Sequence, residues 1–376
     1  MAAMSAKRFS GRFASNYLST LAFVGLTYWL ITRVSTFHQM ILQSQWDLGV
    51  FGIQKILTIH GVLIALIVLY ALVLVPYYAA YPWMRSSAWT FLQGTWFAWR
   101  RSRRRKSIKQ PTPMSLPLNF RLSPAARQAG LSLLLKFFFA PLMINWCLGH
   151  FATLSGSLVQ FTNGVHQGLG GRALFDTAIF WAAFQAILFI DTLLFTLGYI
   201  VEVPALDNRI RTVDPTFFGW FICLACYPPF NDFTGTFLQW QSNDFPYFAN
   251  DYLHLAVNIC VLLSLAIFSW ASLALGFKAS NLTNRGIVTR GPYKYVRHPA
   301  YAAKNLAWWL GAIPTLAMVI GSQNWQAVVY SFVALIGWTT IYVLRAITEE
   351  RHLLLTDNGY REYAQKVRWR FVPGLW

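Results

Sequence analysis

At 376 residues the chain is 56% hydrophobic and 17% aromatic but only 12% charged, about half the charged share of a soluble protein. Its apolar residues gather into runs of about 20, the length that crosses a bilayer as a helix, which excludes an ordinary soluble domain. The formal net charge of +18 does not point to nucleic acid, because the basic residues cluster between the apolar runs, chiefly between alternate pairs of them.

In chain order the runs predict an all-α, polytopic bundle of about eight spans, at roughly 17–32, 56–80, 131–153, 173–201, 216–230, 252–277, 302–320 and 326–347. With the N-terminus in the cytoplasm, the cytoplasmic segments carry Lys7, Arg8 and Arg12, the bases from Arg85 to Arg127, Arg209 and Arg211, Lys278 to Arg297, and Arg345 to Arg370. Only Arg33, Lys55 and Arg172 fall opposite. This positive-inside asymmetry predicts an integral membrane protein with both termini cytoplasmic. The first run follows a short basic segment but has no small-residue cleavage site, so it is expected to stay as an anchor.

Between the second and third runs, Arg100 to Lys109 reads RRSRRRKSIK, followed by Pro111, Pro113 and Pro117. That predicts an exposed cytoplasmic loop, a topology determinant first and a patch for anionic membrane lipids second. The fourth run holds Asp176 and Asp191, and Glu202, Asp207, Asn208, Arg209, Arg211 and Asp214 follow it. Acids at membrane depth face a cavity or a partner, so Asp191 is either a site residue or a hydrogen bond to a neighbouring helix. The fifth run is short and ends at Pro228 and Pro229, which suits a re-entrant or broken span. Cys147, Cys223, Cys226 and Cys260 all lie in apolar runs. The pair Cys223 and Cys226 lacks the two further ligands zinc needs, and His60, His150 and His254 have no ligand spacing, so no metal site is expected.

The last two runs are short enough to form a hairpin bracketed by two polar motifs on one membrane side. Arg297-His298-Pro299 should then meet Glu349-Glu350. Pro299 fits the first turn of a helix, and the positive end of that helix with Arg297 and His298 makes an anion-receptive corner. Arg345 and Glu349 are four residues apart, share a helix face and can pair.

These residues resemble the isoprenylcysteine carboxyl methyltransferase family over roughly 255–376. The likeness rests on an ordered set: Gly291-Pro292-Tyr293-Lys294-Tyr295, Arg297-His298-Pro299-Ala300-Tyr301, a hydrophobic hairpin, Glu349-Glu350, Tyr360 and Tyr363, and Arg370-Phe371-Val372-Pro373-Gly374-Leu375-Trp376. Ala303 departs from it, since the family usually has glycine there, and its methyl is expected to narrow the cofactor cleft. The resemblance implies a membrane enzyme that uses S-adenosylmethionine and methylates a lipophilic small molecule or lipidated substrate, with a carboxylate as the leading acceptor. It implies Tyr293, Tyr295, His298, Pro299, Tyr301, Tyr360 and Tyr363 around the cofactor, and Arg297, Glu349 and Glu350 at the reacting groups. It divides the chain into 1–250, a transmembrane bundle without an assigned role, and 251–376, a methyltransferase-like module.

Methyl transfer is an in-line displacement at an already activated carbon, so alignment and exclusion of water suffice without a metal or a nucleophile triad. A carboxylate acceptor is ionised at neutral pH and needs no base, whereas an amine would use a glutamate. The competing role for Arg297 and the glutamates is an ion-pair clasp that only closes the hairpin. Two rival functions remain: a sterol-reductase-type enzyme using NADPH, against which the consecutive glutamates argue, and a non-catalytic transporter.

Overall fold

The computed structural model describes residues 2–47, 49, 56–108, 121–356 and 359–375. Lys55, Lys109, Pro111, Pro113, Pro117 and Trp376 lie outside the described residues. The chain forms two compact units, Met1–Gln45 with Leu57–Leu142, and Trp46–Ile56 with Met143–Trp376.

The first unit holds α1 (Ala2–Arg33), α2 (Thr36–Gln43), α3 (Ile59–Ala80), α4 (Ser87–Ile108) and the beginning of α5 (Pro124–His166). The chain bends by 86° between α1 and α2, where Ser35 caps α2 by accepting from the His38 amide at 3.4 Å. Asn16 on α1 secures the turn between α3 and α4, donating to the Met84 carbonyl at 2.9 Å and accepting from the Ser86 amide at 3.0 Å. The basic stretch expected as a loop is helical as far as Ile108. Arginine and lysine are good helix formers, and no proline or glycine interrupts the chain there. Arg100 and Arg103 lie over the rings of Trp96 and Trp99, one turn earlier, at 4.8 and 4.2 Å.

The second unit continues α5 and adds α6 (Gly171–Leu174), which runs through a π turn into α7 (Phe180–Ile200). Then follow α8 (Phe217–Leu224), α9 (Phe230–Phe237), α10 (Asp251–Leu275), α11 (Pro299–Gly321), α12 (Trp325–Thr356) and α13 (Gly359–Lys366). Phe180 and Phe184 of α7 pack on Val261 and Leu265 of α10 and Ala307 of α11. At one end of this bundle His254 meets Asp176 at 3.0 Å, and Arg172 joins Asp176 at 3.2 Å and also pairs with Asp251.

The architecture is the polytopic helical bundle expected, with a different count of spans. Among the described residues six helices are long and apolar enough to cross a membrane, or seven if the bent pair α1–α2 is one span. The run at 216–230 falls out of the count. Its helix, Phe217–Leu224, has 8 residues and reaches only about 12 Å at ~1.5 Å per residue.

The connections after α7 and α10 are tied together. The strand Thr212–Val213 pairs antiparallel with Thr283–Asn284. Arg285, 2% exposed, donates to the Gly198 carbonyl at 2.7 Å, to Ser280 Oγ at 2.8 Å and to the Asn208 carbonyl. Asn284 and Thr212 in turn reach the end of α12 through Thr356 at 3.1 Å and His352 at 3.1 Å. Gly198 is needed here because a Cβ on it would overlap the Ala279 carbonyl oxygen, which is backbone and cannot swing away. Gly198→Ala is therefore expected to destabilise by about 3 kcal/mol or more, at or beyond the upper end of ordinary overpacking. Thermal unfolding in detergent checks this, and an unchanged midpoint would refute it.

Candidate active site

The hairpin of α11 and α12 brings the two polar motifs into contact. Pro299 occupies the first turn of α11, and His298 precedes it without capping the helix, leaving its ring free to face α12. Glu350, 5% exposed, gathers three bases: His298 Nε2 at 3.2 Å, Arg370 Nε at 3.1 Å and Arg297 Nε at 3.2 Å. The Arg297 contact is an ion pair without hydrogen-bond geometry, so its buried Nε–H has no acceptor. The C-terminal tail completes the clasp, with the amides of Arg297 and His298 donating to the carbonyls of Trp369 and Arg370 at 2.9 and 2.8 Å.

Glu349 points elsewhere. It accepts from the Tyr301 hydroxyl, and its other oxygen lies 3.9 Å from His298 Nδ1. The imidazole is thus held between both carboxylates, and its ring stacks on Tyr301 with centroids 5.6 Å apart. Glu349, Arg297, His298, Ala300 and Tyr301 line one wall of a cavity of about 250 Å³. Tyr293, Tyr360 and Tyr363 add phenolic wall on the α13 side, and Tyr363 donates to the Tyr293 carbonyl at 2.8 Å. Burial pushes these three phenols above the usual tyrosine range, so they stand as neutral hydroxyls.

Glu350, Pro299 and Tyr295 do not line this cavity. Glu350 sits behind it as the hub of the clasp, Pro299 is buried in the helix start, and Tyr295 is 63% exposed. Ala303 is buried and also not among the lining residues, so its methyl does not narrow the cavity. Asp191 lines the cavity and accepts a hydrogen bond from Ser272 of α10.

The expected pair of Arg345 with Glu349 is replaced by another arrangement. Arg345, 4% exposed, donates to Asn281 Oδ1 at 3.0 Å and lies over the rings of Tyr301 and Tyr342 at 5.0 and 5.1 Å. Asn281 is itself set by Tyr199, whose hydroxyl accepts from its amide and side chain at 2.9 and 3.1 Å. Arg345 and Lys304 both line the cavity, and sequence reasoning singled out neither as a site residue. For Lys304 a signal existed, because a cation in an apolar helix costs about 2.5–3.5 kcal/mol at the bilayer centre and persists for a reason.

Residues 253–355 match the model of the isoprenylcysteine carboxyl methyltransferase family. No curated protein matches the chain. The matched segment contains the motif Arg297 to Tyr301, the hairpin and the glutamate pair, and so carries most of the cavity wall just described.

Proposed function

From that match we propose that the chain is an S-adenosylmethionine-dependent membrane methyltransferase acting on a lipophilic acceptor, a carboxylate in the leading form. The observation that carries the reading is the meeting of the His298 and glutamate motifs at the wall of a cavity with mixed charge. Arg297 lines the cavity with a guanidinium, whose charge fits an amino-acid carboxylate. Glu349 fits an ammonium or a ribose hydroxyl, and the rings of Tyr293, Tyr301, Tyr360 and Tyr363 fit the nucleoside. When bound, the cofactor supplies a methyl group on a sulfonium, a carbon already activated for displacement.

The protein's part is then placement and dryness. Glu350 holds Arg297 and His298 in position from behind the cavity, so its role is positioning. Arg345, fixed by Asn281 and two tyrosine rings, orients the acceptor carboxylate, which needs no base. Pro299 sets the direction of α11. Tyr295, exposed, would reach the cofactor only through a local rearrangement. The part of the chain before 251 contributes walls rather than chemistry, since Met143, Asp191, Asp214 and Tyr227 line the same cavity. The bases around the clasp, from Lys278 to Arg297 and from Arg345 to Arg370, favour the cytoplasmic face for it, among membrane lipids.

Calorimetry on the purified protein tests the reading. S-adenosylhomocysteine is expected to bind, and Arg297→Ala to weaken it by about 10-fold or more, the worth of one charged hydrogen bond. Binding of NADPH alone would favour a reductase, and binding of neither ligand a transporter.

A further inference from the structure

Lys304 lies on α11 three residues beyond Tyr301, so both occupy one face of the helix. Its ammonium sits among three rings, 5.5 Å from the centres of Phe268 and Trp308 and 5.9 Å from Tyr342. Cation–π attraction of this kind gives a socket but no counter-charge. Among the described residues the ammonium makes ring contacts and no ion pair or hydrogen bond. Asp191 and Asp244 act on it through space. Neither acid reaches it in an ion pair among the described residues, and Asp191 and Glu349 accept from Ser272 and Tyr301 instead. Tyr342 faces two cations at once, since Arg345 also lies over its ring at 5.1 Å. The cavity therefore has, beside the clasp, an apolar and aromatic recess with two cations on one tyrosine and no acid paired with Lys304.

We infer that Lys304 binds the anionic head group, carboxylate or phosphate, of an amphiphile whose apolar tail lies toward Phe268 and the surrounding helices. Charge and surroundings both select this class. A neutral lipid would leave the ammonium unmatched, and a small hydrophilic anion would gain nothing from the rings. The inference deepens the proposed function by naming the residue that holds the acceptor's head group, and rests on that reading only in calling the amphiphile an acceptor.

The test uses the full chain in neutral detergent with radiolabelled oleate, oleoyl lysophosphatidate and oleyl alcohol as probes, and S-adenosylhomocysteine calorimetry alongside. Lys304→Gln is expected to weaken at least one anionic probe by about tenfold or more, while oleyl alcohol stays within about twofold. Lys304→Arg should restore the anion to within about threefold, since it keeps the charge. Whichever anionic probe shows the dependence identifies the head group. No dependence with either anion, or equal weakening of the alcohol, overturns the assignment. Loss of S-adenosylhomocysteine binding in Lys304→Gln alone would move the lysine to the donor side and also overturn it. Failure of the wild type to bind S-adenosylhomocysteine would instead sink the methyltransferase reading, with the anion result standing or falling by itself.

Discussion

Glu350→Ala is expected to abolish measurable S-adenosylhomocysteine binding and to destabilise the protein by about 3–5 kcal/mol, the cost of breaking a buried ion pair by removing one partner. The magnitude follows from what is left behind. Glu350 is 5% exposed and is the shared counter-charge for Arg297, His298 and Arg370. Without it three bases face one another, two of them largely shielded from water. The least costly relief is for the tail to leave, and the tail carries the carbonyls that fix the Arg297 and His298 amides. Glu350→Gln separates the two effects. It keeps the shape and one acceptor, so stability should fall less than in the alanine variant while binding still suffers from a displaced Arg297. Thermal unfolding in detergent and calorimetry read the two separately. Full ligand affinity in Glu350→Ala would show that the clasp and the ligand site are independent.

Arg345→Ala should give the opposite pattern, a fall in kcat/KM of about 10²–10³-fold, as for removal of one charged group aimed at the reacting atoms. S-adenosylhomocysteine affinity should remain within about threefold, because Arg345 is held by Asn281 and forms no ion pair with the clasp acids among the described residues. Transfer of a labelled methyl group to an S-prenylated cysteine or a long-chain acid measures the first quantity. Arg345→Lys keeps the charge but loses the planar fork held by Asn281 and stacked on two rings, so it should recover only a small part of the rate. If cofactor affinity falls as steeply as turnover in Arg345→Ala, the arginine belongs to the donor half and the assignment of acceptor to that wall fails.

Much of this architecture was legible from linear pattern. Long apolar runs and the ordered motifs of the last third need only local rules to read. The hairpin's length alone brings Arg297 and His298 to the glutamates. The fifth run misled for a local reason too: its apolar content suits a span, but Phe217–Leu224 is stopped after two turns. The loop expected from the arginine run proved helical as far as Ile108, because charge patterning reports exposure and topology rather than backbone conformation.

The division of labour between the adjacent glutamates was not legible. Glu349 and Glu350 point about 100° apart on one helix, and only the position of His298, Tyr301 and the returning tail decides which becomes a buried hub and which faces the cavity. Arg345 shows the same limit. Spacing offered it Glu349, but Asn281, 64 residues away in sequence, takes its guanidinium, and the rings of Tyr301 and Tyr342 lie beneath it. The sequence by itself determined that this is a multi-span helical membrane protein with a clustered polar motif at its end, because hydropathy and helical period act over neighbouring residues. Tertiary structure alone decided which charges are paired and which, like Lys304, are left facing the cavity, because pairing depends on distances between helices that no spacing along one chain encodes.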